Sequence, residues 1–193
     1  MNSKEIKKLI KKECEKHGIT FLHVKENYVL CDGIKTNGYF DQENRVLAIS
    51  TTKNWLETLI HEYCHLLQYL RQDEAWTDCD DAWHMWEWLD GMNCHKRTLN
   101  KSIKAWHRLE LECEMAAVEL HKQWNTGINT EEYIQKANAY TLFYFYIGEC
   151  RKWYQIGREP YSVKEVWASM PKTFDYNHPV VYDKVKPLFS LCV

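Results

Sequence analysis

The apolar residues of this chain change period once, near Ser50, and that change constrains the fold more than any other feature of the sequence. Before it, Ile19 to Val24, Tyr28 to Cys31, Gly38 to Asp41 and Arg45 to Ser50 are short and rich in β-branched and aromatic residues, which reads as strands. Asp41-Gln42-Glu43-Asn44 reads as a hairpin turn between the last two. After Ser50 the period is helical. Leu56, Leu59, Ile60, Tyr63, Leu67 and Leu70 share one face of a helix from about Lys53 to Arg71, and long helices follow from about Lys101 to Trp124 and from about Glu131 to Ile156. A first helix, capped by Ser3 and stopped by Gly18, precedes the strands. Ser162 and Glu165 match a capping box for a short helix ending before Pro171, with an irregular segment after it. Strands followed by a run of helices predict an α+β fold: a small, mostly antiparallel sheet packed by helices.

The chain has 193 residues, 45% of them hydrophobic, which is enough for one real core. Seven Gly and four Pro leave little material for a linker, and there is no repeat or low-complexity tract. The expectation is a single domain over 1–193. Within it, 72–98 is an acidic insertion with Trp76, Trp83, Trp86 and Trp88, and 157–193 is a C-terminal extension with no role assigned from sequence. A net charge of -2 gives no basic footprint for nucleic acid. The eight Cys fall partly inside helical segments, and the first residues lack an apolar signal region, so a reducing, cytoplasmic setting with free thiols is expected. No run approaches the roughly 20 apolar residues of a membrane span.

His61-Glu62-Tyr63-Cys64-His65 is an HExxH motif on the first long helix. Residues four apart on a helix differ by only ~40° around the axis, so two imidazoles can reach one ion, with Glu62 turned beside it. A catalytic zinc held this way needs one more protein ligand and keeps a place for water. Thr58, His61, His65, Gln68 and Gln72 form a polar seam opposite the apolar face.

The next long helix carries Leu109-Glu110-Leu111-Glu112-Cys113-Glu114. At 100° per residue, Glu110 and Glu114 lie on the inward arc with Ile103, Ala117 and His121, whereas Glu112 and Glu119 face outward with Arg108. An ionised carboxylate inside an apolar stripe is costly unless a metal, a charge or a set of donors meets it. Glu110 and Glu114 therefore call for partners.

These residues resemble the gluzincin metallopeptidases, in which HExxH is followed on a later helix by a ligand Glu and, four residues on, by an acid that supports a ligand histidine. The order of sheet then HExxH is similar to the small ImmA/IrrE-like peptidases. The resemblance covers roughly residues 38–120. It implies a zincin-like domain with HExxH on a central helix, one Zn2+ per chain on His61, His65 and Glu110, Glu114 as its outer support, and Glu62 as general base. Cys113 stands where Ala or Ser is usual, Glu114 replaces Asp or Asn, and no helix-turn-helix accompanies the domain. An SprT-like arrangement, with His84 as third ligand, is the second choice; His84 lacks the following Gly of that pattern.

The expected activity is hydrolysis of peptide bonds in a peptide or protein substrate. The same ligands would serve a non-peptide amide, and an inactive zincin-fold binding or scaffold protein is the rival from another class. Other candidates are a structural zinc on Cys79, His84, Cys94 and His95, and an oxyanion donor among His107, His121, Tyr140, Tyr144 and Tyr154.

Overall fold

The computed structural model describes residues 1–31, 33–80 and 82–193. The chain packs as two compact units, one of Met1–Asp73 with Glu119–Gly127, the other of Glu74–Val118 with Ile128–Val193.

The first unit begins with helix α1 (Ser3–Lys16). Its cap is Asn2, one residue before the expected Ser3: the Asn2 side chain accepts from the Lys4 and Glu5 amides at 3.0 Å each, and Glu5 accepts from the Asn2 amide at 2.8 Å. Glu5 at the third helical position completes a reciprocal box that a cap at Ser3 would lack. The strands are β1 (Thr20–His23), β2 (Val29–Cys31), β3 (Ile34–Thr36), β4 (Gly38–Asp41) and β5 (Val46–Ile49). In the three-stranded sheet β5 is central, between β1 and β4. The turn from β4 to β5 is the expected one. Asp41 accepts from the Asn44 amide at 2.8 Å and from its side chain at 2.7 Å.

The sheet corrects the expectation of a mostly antiparallel arrangement, because it is mixed. β4 runs antiparallel to β5, whereas β1 is parallel to it, with Thr20 opposite Val46 and His23 opposite Ile49. The direction of a pair far apart in the chain is a long-range outcome that strand propensity does not encode. β2 and β3 form a separate antiparallel ribbon. Its Leu30 and Ile34 are exposed, so β3 carries no half-buried alternation by which the sequence could announce it.

Helix α2 (Trp55–Arg71) packs on β4 and β5, and α1 packs on β1 and α2. The polar seam of α2 is buried at His65 and Gln68 and exposed only at its end, at Gln72, and Glu62 beside it is buried too.

The second unit is helical among its described residues: α3 (Glu74–Asp80), α4 (His84–Leu89), α5 (Lys96–Trp124, its part up to Val118), α6 (Thr130–Cys150), α7 (Lys164–Trp167), α8 (His178–Val185) and a 3-10 turn (Lys186–Leu191). Met85, Ile103, Phe143, Tyr144 and Phe189 lie in its core. The Trp-rich segment is built into this core. Trp86 lies 5.6 Å from Trp106 and 5.0 Å from Trp153, ring centre to ring centre, and the Trp106 indole donates to the Ala82 carbonyl at 2.8 Å. Arg108 ties α3 to α5, reaching Glu74 at 2.8 Å, Asp78 at 3.1 Å and Glu112 at 2.7 Å.

Further boundaries differ from the expected ones, and α5 begins at Lys96 rather than about Lys101. α6 stops at Cys150, not Ile156, because Arg151 turns left-handed (φ 54). The Ser162 hydroxyl donates to Glu159, leaving Val163 as an uncapped helix start in place of the capping box. The final segment is helical, its α8 capped by Asn177. All eight cysteines are free thiols, and no helix among the described residues is long and apolar enough to cross a membrane.

Leu47 on the central strand is 0% exposed, whereas Ile34 on the ribbon is 69% exposed. Leu47→Ala is expected to cost about 2–5 kcal/mol of stability, and Ile34→Ala no more than about 0.5 kcal/mol. Urea unfolding of the two variants checks this; equal losses would place the core elsewhere.

Candidate metal centre

The two groups of site residues named from sequence lie in different units, and each is built by its own neighbours. On α2 the four-residue spacing sets the rings of His61 and His65 edge to face, 4.7 Å between centres. A ligand nitrogen of each lies within 4.8 Å of the other. A tetrahedral zinc with Zn–N bonds of about 2.0–2.1 Å would need about 3.3 Å between them, a separation that small side-chain rotations reach. The pair fits a metal. His65 Nδ1 lies 2.8 Å from Gln68 Oε1, and both side chains are buried.

Glu62, between the two histidines in sequence, is 7% exposed. It faces Gly38 at the start of edge strand β4. A Cβ on Gly38 would lie 2.6 Å from Thr58 Cγ2, 3.0 Å from the Ala48 carbonyl oxygen and 3.1 Å from Glu62 Cγ. Only a residue without a side chain lets the strand come this close to the helix. The need for glycine at position 38 comes from this close approach, which the sequence alone does not show.

In the second unit, Glu110 and Glu114 are buried on α5, at 7% and 8% exposure, and each meets a tyrosine of α6. The Tyr133 hydroxyl donates to Glu114 Oε2 at 2.7 Å. The Tyr144 hydroxyl reaches Glu110 Oε1 at 3.5 Å and stands 3.2 Å from the Tyr140 hydroxyl. Burial, and then the charge of Glu110, push both phenols well above the usual tyrosine range, so they stay protonated donors. Glu112 is half-exposed and paired with Arg108, on the outward arc as expected. Tyr133 was missed from sequence. Its signal is a tyrosine in an otherwise buried face of α6, which plain packing would also produce.

The remaining candidates have ordinary surroundings. His84 is exposed, and its Nδ1 lies 3.1 Å from Glu87. Among the described residues, no three of Cys79, His84, Cys94 and His95 gather into a group that could hold an ion. His121 Nδ1 lies 2.7 Å from the Thr126 hydroxyl in the first unit. In the second unit the buried His107 ring packs on Phe145 at 4.5 Å and on His178 at 5.3 Å. Desolvation, and secondarily His178, lower its pKa to about 4. Comparison with family models, with curated proteins and with solved structures finds no match to this chain.

Two measurements follow from these environments. Gly38→Ala is expected to lose about 1–3 kcal/mol of stability through overpacking, and Thr58→Ser, which removes the nearest methyl, to restore part of it; a neutral Gly38→Ala would deny the close approach. For His107 the folded pKa of about 4 lies below the ordinary value of about 6.5 in an unfolded chain. Between these values the unfolded chain takes up a proton that the folded one refuses, so this contribution is complete above about pH 6.5 and is lost as pH falls toward 4. His107→Phe should therefore lose about 2–3 kcal/mol less stability than wild type between pH 7 and pH 4.5, read by urea unfolding at both.

Proposed function

We propose that the protein is a zinc-dependent metallopeptidase of zincin-like fold, working in the cytoplasm. The observation that carries this reading is the pair of imidazoles one turn apart on α2, with a buried carboxylate between them. His61 and His65 would hold the ion, with Glu110 as third ligand and Glu114 as its support. The tyrosines on both α5 carboxylates favour that choice, because their hydrogen bonds orient Glu110 and Glu114 inside an apolar core. Cys113 is the competing third ligand. It is completely buried on the same helix, and a thiolate with two imidazoles is an equally good zinc set.

Zinc, when bound, supplies a Lewis acid and a water of lowered pKa. Glu62 accepts the water's proton on a carboxylate oxygen and returns it to the leaving amine nitrogen. Its burial keeps bulk water from competing for that proton, and Gly38 sets it beside an edge strand. An extended peptide adding to β4 would present a backbone carbonyl next to Glu62, which favours a peptide over other amides.

Elemental analysis of protein never exposed to chelator should find close to one zinc per chain, lost when His61 and His65 both become Ala. Glu62→Gln should retain the fold and the metal and abolish hydrolysis of denatured protein substrates. Turnover within a few-fold of wild type would remove Glu62 from the mechanism; metal without any turnover in wild type would favour the scaffold reading. Zinc affinity by chelator competition ranks the ligands. Glu110→Gln should lose most, Glu114→Gln about 10- to 100-fold, and Glu112→Gln almost nothing. The largest loss in Cys113→Ser or His84→Ala instead would move the third ligand there.

A further inference from the structure

The contact between His65 and Gln68 decides more than the orientation of a ring. Gln68 Oε1 has lone pairs and no hydrogen, so at 2.8 Å it is His65 Nδ1 that donates. A neutral imidazole carries one N–H, which leaves the lone pair on Nε2. We propose that Gln68 is a positioning residue that selects the Nδ1–H tautomer of His65 and so presents Nε2 as the metal-binding nitrogen.

The surroundings make the selection firm. Gln68 is 4% exposed and three residues beyond His65, so both side chains lie on one face of α2, within reach of each other without bending the helix. Its backbone is fixed by the helix end. The Asp73 amide donates to the Gln68 carbonyl at 3.0 Å and the Gln72 amide to Tyr69 at 3.1 Å, with Gln72 left-handed at φ 53. An amide suits this place better than a carboxylate. It orients the imidazole without adding a second negative charge to a helix face that already buries Glu62. The opposite amide rotamer would aim its NH2 group at Nδ1, which would force the hydrogen onto Nε2 and close that nitrogen to a metal.

The purpose of this device rests on the metallopeptidase reading, but the tautomer can be read without metal. In full-length, 15N-labelled, metal-free protein above pH 7.5, long-range 1H–15N correlation spectra should show His65 as Nδ1–H. Gln68→Met, similar in volume with no acceptor oxygen, should shift it toward Nε2–H and weaken zinc binding by about 10- to 100-fold. Gln68→Glu retains an acceptor and should keep the Nδ1–H form, which separates lost selection from a disturbed fold. Nε2–H in the wild type, or a tautomer unchanged by Gln68→Met, overturns the inference even if zinc binds. A wild-type Nδ1–H form, lost in Gln68→Met, in a protein that takes up no zinc supports the selection by Gln68 and overturns the metal reading instead.

Discussion

A carboxylate taken out of water has to be met by something, and among the described residues Glu62, Glu110 and Glu114 are buried. Much of the local structure around the candidate site answers to that demand. Tyr133 and Tyr144 on α6 bring hydroxyls to the two glutamates of α5, and this ties the register of one helix to the other at the centre of the second unit. In the first unit β4 comes close to the aliphatic stem of Glu62 at Gly38, where a side chain would not fit. Leaving such a group unmet would cost several kcal/mol, comparable to the whole stability of a small domain. These contacts therefore belong to the fold as much as to chemistry.

The same logic explains why the Trp-rich segment is no appendage. α3 and α4 are too short to be stable alone, and their helicity depends on tertiary packing. Arg108 gathers Glu74 and Asp78 from α3, while Trp106 holds the chain at Ala82 through its indole hydrogen bond. The exposed ion pairs add modestly; the aromatic packing of Trp86 on Trp106 and Trp153 carries more of the stability.

Acidic character is managed differently on the two faces of α5. Outward, Glu112 sits in water beside Arg108, where it costs little. Inward, Glu110 has in Tyr144 a phenol that burial keeps protonated, and Glu114 accepts a hydrogen bond from the Tyr133 hydroxyl. A metal site assembled from such residues would be preorganised before any ion arrives.

How much of this was legible in the sequence follows from the range over which each feature is encoded. Period alone located α2 and α5, put His61 and His65 on one helix face, and separated inward Glu110 and Glu114 from outward Glu112, because all of these depend on residues three or four apart. The hairpin turn at Asp41 was readable for the same reason. The parallel pairing of β1 with β5, the exposed β3 strand, the left-handed stop at Arg151 and the tyrosines that meet the buried glutamates were not. Each of these is settled by burial or by partners brought in from elsewhere in the chain. Which side chains share a helix face is written in local spacing, whereas what each buried group finds opposite it comes from the folded chain, because hydrogen bonds and close approaches between distant residues leave no local period to read.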